Sequence, residues 1–339
     1  MPFWLDIAAF ALKALLIVAA IGGLVFLITR LTRGEAEDDS EISIDSLNER
    51  YDAAQARLNA EILSKKERKA LAKARKKAAK SNAAAPTTTA NRIYVLGFKG
   101  DIRASAVTRL GREIDAVLTV ARPAQDEVVI RIESPGGTVT GYGLAASELL
   151  RLRSASIKLT VCVDQVAASG GYLMACVADR IVAAPFAILG SIGVVAQVPN
   201  VNRLLKKNDI DFEEMTAGEF KRSVSIFGEI TPAGREHFRG KLDATHEAFK
   251  AFVGQNRPRL EIAKVANGDT WLGREALELG LVDELTASDD YLFRARDRAR
   301  IFEVSSEERK SLLQQILGRL GFAAEAAARF VMDRVGGAG

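Results

Sequence analysis

The sequence is poor in the residues that build metal centres and covalent scaffolds. It has two cysteines, Cys162 and Cys176, and two histidines, His237 and His246, in 339 residues. That excludes a disulfide framework and a cysteine-based zinc site, and leaves too few imidazoles for a histidine-rich metal centre. Prolines number 8, which excludes a collagen-like or proline-rich linker chain. Aromatic residues make up 6%, and none interleaves with the basic block described below. A stacking platform for single-stranded nucleic acid is therefore not supported, and no nucleic-acid partner is expected.

What remains is 48% hydrophobic and 27% charged, too apolar for a disordered chain and long enough for two domains or one domain with appendages. The formal net charge of +4 conceals strong segregation. Residues 35–52 hold eight acids and one base, Arg50, whereas residues 64–80 hold nine bases and one acid, Glu67. Both stretches suit a helical stalk. The basic one has the charge to meet anionic lipid or nucleic acid, but its composition reads as a solvated spacer. Asn82 to Ala90, small and polar with one proline, marks a boundary.

Ile7 to Ile28 is 22 residues long with a single charge, Lys13. At ~1.5 Å per residue it spans a hydrocarbon core of ~30 Å. Lys13 lies where it can snorkel, and Trp4 where it can anchor at the interface. A cleaved signal peptide would need a basic start and a small-x-small site, and neither is present, so the segment reads as a retained anchor. Arg30 and Arg33 follow the span and nothing basic precedes it, which by charge alone leaves the rest of the chain in the cytoplasm.

From Arg92 the pattern becomes strand, helix, strand. Ile93–Phe98, Val128–Ile132 and Leu159–Val163 read as strands. Ser105–Val120 and Tyr142–Leu152 read as helices, the second with Leu144, Leu149, Leu150 and Leu152 available for the core, and Ser169 to Val177 opens another. Short apolar runs recur at Ile181–Ala184 and Val194–Val198. Alternation of this kind predicts an α/β fold with a largely parallel sheet covered on both faces. After Thr231, a candidate N-cap before Pro232, the chain reads as mostly helical, and a last apolar stripe runs through Leu312, Leu313, Ile316, Leu317 and Leu320. The expected divisions are an anchor at 1–34, a stalk at 35–90, a globular domain at 91–300 and a helical tail at 301–339.

Three glycine-rich turns stand out: Glu133–Gly137 (ESPGG), Ala167–Tyr172 (AASGGY) and Gly190–Val194 (GSIGV). None is a P-loop or a complete GxGxxG fingerprint, so a nucleotide site lacks its phosphate cradle. Ser169 sits at a strand-to-helix turn. The residues leave two readings open: a helix N-cap with a tight glycine turn, or a nucleophile beside backbone amides able to hold an oxyanion. A nucleophilic serine needs a base. His237 and His246 fall in the late helical stretch and read as surface residues. Lys221, in GEFKRS before Val224, Ile226 and Phe227, is a lysine with an apolar setting that could keep its amine neutral, although a solvated surface residue is the plain alternative.

Taken in order, ESPGGTVTGYG, DQVAASGGYLMA, GSIGVV and TAGEFKRS resemble the motifs of the signal peptide peptidase A family. The resemblance covers nearly the whole chain, including the apolar span, the charged stalk and a late GLVDE at Gly280 to Glu284. It implies a fold like ClpP and crotonase, built from repeated ββα units in a superhelix. By motif it implies Ser169 as nucleophile, Lys221 as general base, Ser191 orienting the lysine and the backbone N–H groups of Gly136 and Gly170 as the oxyanion hole. Gly137 and Gly171, lacking side chains, are expected to let a substrate backbone approach. Phe220 stands where relatives commonly carry Tyr.

The implied activity is cleavage of membrane-associated peptides or envelope proteins, with no metal or organic cofactor, by a ring-like homo-oligomer in which some relatives take the lysine from a neighbouring subunit. The implied location is the bacterial inner membrane, single-pass, with the catalytic domain in the periplasm. This opposes the arginine signal, and the family is given precedence. Two alternatives share the fold: an enzyme acting on a CoA thioester and a non-catalytic membrane scaffold. Cys162 and Cys176 are expected as buried free thiols.

Overall fold

A computed structural model describes residues 41–82 and 91–307. The span Ile7–Ile28, the boundary Asn82 to Ala90 beyond its first residue, and the stripe Leu312 to Leu320 lie outside the described residues. Among the described residues no helix is long and apolar enough to cross a membrane.

The strands are β1 (Glu41–Ser46), β2 (Asn91–Lys99), β3 (Glu127–Glu133), β4 (Lys158–Val163), β5 (Val166–Ala168), β6 (Arg180–Ala183), β7 (Ile188–Gly190), β8 (Thr270–Leu272), β9 (Glu284–Leu285) and β10 (Ala299–Glu307). The helices are α1 (Leu47–Ile62), α2 (Lys65–Asn82), α3 (Val107–Val120), α4 (Val139–Ser154), α5 (Gly170–Ala175), α6 (Asn202–Lys207), α7 (Pro232–Asn256), α8 (Ile262–Val265), α9 (Gly273–Glu278) and α10 (Ser288–Ala295). A seven-stranded sheet runs β1-β10-β2-β3-β4-β6-β9, and a three-stranded sheet runs β5-β7-β8. From β10 to β9 every described pairing in the large sheet is parallel. In the small sheet β5 pairs parallel with β7, and β8 returns antiparallel. The protein is thus a mixed α/β fold.

The central strands are apolar at consecutive positions because both faces are covered. Along β2, Tyr94, Leu96 and Phe98 enter one core while Ile93 and Val95 enter the other. This two-residue alternation separates the two faces of the sheet. The larger core receives Leu110, Ile114 and Val117 from α3 and Tyr142, Ala145, Ala146, Leu149 and Leu152 from α4. Both sets follow the i, i+3, i+4, i+7 stripe of a helix packed on one side. Leu144, expected in the core, lies off that stripe and is 52% exposed, and Tyr142 takes the buried place. Val194–Val198 forms no strand: no described strand lies beside it, and Val195 is 80% exposed.

The acidic stretch given to a stalk is partly built into this unit. β1 takes the sheet edge, Leu47 is buried in the smaller core, and Asn48 donates to the carbonyls of Arg296 and Ala299 while accepting from the Ile301 N–H. An edge strand buries one row of side chains at most, so its alternation is weak in sequence. The basic stretch forms α2, opened by a capping box in which Ser64 and Glu67 exchange hydrogen bonds, and its first two turns are exposed. At the other end, residues 301–307, assigned to the helical tail, continue β10.

The late GLVDE segment has a structural task. Asp283 accepts the Ile181 N–H at 2.7 Å and takes both arms of Arg257 at 2.8 and 2.7 Å, fastening β6 to the end of α7. Burial pushes the Asp283 carboxyl up, but the guanidinium and the Ile181 N–H outweigh it and hold it below the ordinary aspartate range. A lowered carboxyl adds stability above its unfolded-state value and loses it as pH falls through the folded one. Asp283→Ala is expected to cost about 1–2 kcal/mol, less than the loss of a fully buried pair, because Asp283 is exposed while its partner Arg257 is largely covered. It is also expected to flatten the acid limb of a stability–pH curve; denaturant titrations between neutral and acid pH check both.

Candidate active site

The site is assembled where β3 and β5 end. Ser134, the residue after β3, bridges to Ala167 of β5: its N–H donates to the Val166 carbonyl at 2.8 Å, and its carbonyl accepts the Ala168 N–H at 3.0 Å. The ESPGG turn is thereby set against the AASGG turn. Gly136, at φ +93°, lies so close that a Cβ there would stand 2.7 Å from the Gly170 nitrogen and 2.7 Å from the Ser169 Cβ. Only glycine meets both conditions, the positive φ and the contact.

Ser169 occupies this contact in a conformation that L-residues avoid, φ 50° and ψ −118°. Such a backbone costs about 1–3 kcal/mol and persists only where surrounding bonds fix it. Here the Ser169 N–H is held by the Gly190 carbonyl at 2.8 Å, and its carbonyl receives the Leu173 N–H at 2.9 Å. Its hydroxyl makes no capping bond to α5, so the N-cap reading fails. The side chain is partly exposed while Gly170 is buried beside it. A strained serine at a strand-to-helix turn shares the backbone setting of a nucleophile elbow. α5 is only six residues long, so the local amide of Gly170, rather than a helix field, is what can meet negative charge.

Ser191 stands one position beyond β7 as Ser169 stands one beyond β5, and the register pairs Ala168 with Gly190. Its φ is also positive, 51°, and its N–H donates to the Asp269 carbonyl at 2.6 Å. The structure therefore brings together Ser169, Ser191, Gly136 and Gly170. Gly137 is exposed at the mouth, where a Cβ would strike the Ile102 carbonyl oxygen at 2.1 Å. Gly171, expected to face substrate, is buried, and its missing Cβ makes room for the Ser134 carbonyl at 2.6 Å.

Lys221 belongs to a different segment from the two serine turns. It lies in an irregular excursion between β7 and α7, its side chain is exposed, and none of the described hydrogen bonds or ion pairs joins it to Ser169 or Ser191. The excursion is ordered nonetheless. Val201 N–H donates to the Ile226 carbonyl at 2.8 Å, Asn202 Nδ2 to the Phe227 carbonyl at 2.8 Å, and Phe220 stacks on His237 with ring centroids 3.9 Å apart.

The histidines are not the bystanders the sequence suggests. His237 is half-buried under Phe220, next to Lys221. His246 Nε2 lies 3.1 Å from the Ile192 carbonyl, so that nitrogen carries the proton and ties α7 to the Ser191 turn. No local sequence signal marks either role, because each depends on where α7 lies.

Peptidase family S49 matches residues 151–301, and peptidase family S49 N-terminal matches residues 2–149. A Haemophilus influenzae protein described as probable protease SohB is 46% identical over 315 residues, 90% of this chain and 88% of that protein. The chain belongs to peptidase family S49. A second probable protease SohB, from Buchnera aphidicola subsp. Schlechtendalia chinensis, is 43% identical over 86% of this chain and 99% of its own length. Protease 4 of Haemophilus influenzae is 26% identical over 60% of this chain and 34% of its own. The motif resemblance to the signal peptide peptidase A family, and within it to SohB, is thus upheld, and this S49 chain is a protease.

The close approach at Gly136 gives a direct test. Gly136→Ala is expected to lower peptidase activity ~100-fold, because its Cβ would force apart the turns that carry Ser169 and Gly170. Gly143→Ala, in α4 with nothing within 4 Å of its new Cβ, is expected to keep activity and gain helix stability. Specific activity and melting temperature of the two variants check this.

Proposed function

We propose that the chain is a membrane-anchored serine endopeptidase that uses a Ser169–Lys221 dyad. The observation that carries this reading is Ser169 itself, held at a costly backbone angle against the Gly136 and Gly170 amides. In the proposed reaction the neutral Lys221 amine takes the Ser169 Oγ proton as the oxygen attacks a peptide carbonyl. The two amides hold the oxyanion, and the lysine returns the proton to the leaving amine. Water then resolves the acyl-enzyme. Ser191 orients the lysine. A thioester enzyme of the same fold has no use for a strained serine. The paired turns after β5 and β7 support a ClpP/crotonase-like ββα arrangement.

Lys221 is assigned to the site of a neighbouring protomer. Phe220 is fixed at His237, and the Ser191 turn is fixed at His246, nine residues further along α7. That is about 14 Å along the helix axis, more than one four-carbon lysine stem covers. The excursion also exposes Val195, Ile210, Met215, Ile226 and Phe227, an apolar surface that suits burial against another copy. Assembly would exclude water from Lys221.

The anchor is assigned to Ile7–Ile28, with the domain on the periplasmic face of a bacterial inner membrane and membrane-associated peptides or envelope proteins as substrates. Protease accessibility of the domain in intact spheroplasts reads the sidedness, with digestion expected.

Ser169→Ala and Lys221→Ala are each expected to abolish cleavage of a quenched fluorescent peptide. Mixed and co-assembled, the two inactive variants are expected to regain part of the wild-type rate, because each supplies the group the other lacks. Activity persisting in either single variant rejects the dyad. Inactive mixtures that do co-assemble reject the shared site.

A further inference from the structure

Behind the ESPGG turn lies a buried hydroxyl pair that the proposed chemistry does not use. Ser134 is fully buried, with its Oγ 2.5 Å from the Tyr142 hydroxyl and 3.1 Å from the Gly136 nitrogen. Tyr142, also fully buried, donates its hydroxyl to the Asp101 carbonyl at 2.8 Å. Each hydroxyl has one proton, and a carbonyl can only accept. The direction of the chain of bonds is therefore fixed. Gly136 N–H donates to Ser134 Oγ, Ser134 Oγ–H donates to the Tyr142 oxygen, and Tyr142 O–H donates to Asp101. Burial raises the Tyr142 hydroxyl above its ordinary value, so the proton that orders the chain stays in place through neutral and mildly basic pH.

The same two side chains touch the other half of the site. A Cβ on Gly170 would fall 2.3 Å from Cγ of the Tyr142 ring, so the ring backs directly onto the residue that supplies the second amide. Gly100 leaves room for the pair, since its Cβ would fall 2.3 Å from the Tyr142 hydroxyl and 2.4 Å from Ser134 Oγ. Asp101 follows Gly100 directly, and the Gly100 N–H is bonded to the Glu133 carbonyl at 2.9 Å. The network thus spans the ends of β2 and β3 and the start of α5.

We infer that Ser134, with Tyr142 behind it, is a positioning residue for the oxyanion hole: it sets the direction of the Gly136 amide and the spacing of that amide from Gly170. The inference rests on the peptidase reading above and adds residues to it. Ser134 touches no reacting atom. In the free chain its Oγ accepts the Gly136 N–H; a developing oxyanion, a stronger acceptor, competes for that N–H through a rotation of the turn, for which the buried Ser134–Tyr142 pair is the fixed support.

The test uses the purified full-length chain in detergent, a quenched fluorescent peptide as substrate and a peptide aldehyde as the probe of the tetrahedral adduct. Ser134→Ala is expected to lower kcat about 10- to 100-fold with KM changed less than about twofold. The aldehyde inhibition constant should rise in proportion, while affinity for a cleaved product peptide stays constant. An inhibition constant does not depend on the fraction of folded molecules, so a merely structural role would leave it unmoved. Tyr142→Phe keeps the ring against Gly170 and is expected to shift kcat and aldehyde affinity the same way by a smaller factor. The double variant should match Ser134→Ala alone, because the chain acts as one unit. Unchanged aldehyde affinity in Ser134→Ala overturns the inference. Should that variant fail to fold, unchanged affinity in Tyr142→Phe overturns it. Ser169→Ala, assayed alongside, keeps the two levels apart: cleavage surviving there refutes the nucleophile, whereas cleavage lost there and normal in Ser134→Ala refutes only the positioning role.

Discussion

The site depends on one steric fact: two backbone turns approach to within contact because the residue between them has no side chain. Gly136 meets Ser169 and Gly170 at distances that any Cβ would close. The approach in turn needs Ser134 paired to β5 across the gap between the two sheets. It also needs Ser169 held in its unfavourable angle by the Gly190 carbonyl. The large sheet supplies the rigidity, with strands covered on both faces and helices α3 and α4 packed into its larger core. The strain at Ser169 is tolerable because so many neighbouring bonds fix it at once.

The parallel strands were legible because burial on both faces leaves unbroken apolar runs such as IYVLGF, which no amphipathic helix would show. β1 was not, because EISIDS is acidic and lies on a sheet edge. β7 and β8, three residues each, are shorter than any periodicity can reveal. Val194–Val198 misled in the opposite direction: an apolar run predicts burial, and on the outer excursion it remains exposed. Of the site, the glycine turns announced themselves through composition. The strain at Ser169 and Ser191 did not, since serine gives no warning of a positive φ. Ser134 lay inside a motif already noted, but its role needs Tyr142 and Asp101, residues that only the folded chain brings to it.

α7 is the second organising element. At one end it carries His237 under Phe220, beside the lysine, and further along His246 on the turn that presents Ser191. One helix of 25 residues thus holds both the Phe220 segment and the Ser191 turn.

The two thiols carry a consequence for the redox behaviour of the fold. Cys162 sits in the smaller core and Cys176 in the larger, on opposite sides of the sheet, and burial pushes both up to about 12. Screened from each other by a layer of backbone and from glutathione by the packing around them, they can neither cross-link nor be readily oxidised. The architecture is therefore indifferent to redox poise. The same fold holds its form under reducing and oxidising conditions alike, because neither thiol is offered a partner or a reagent.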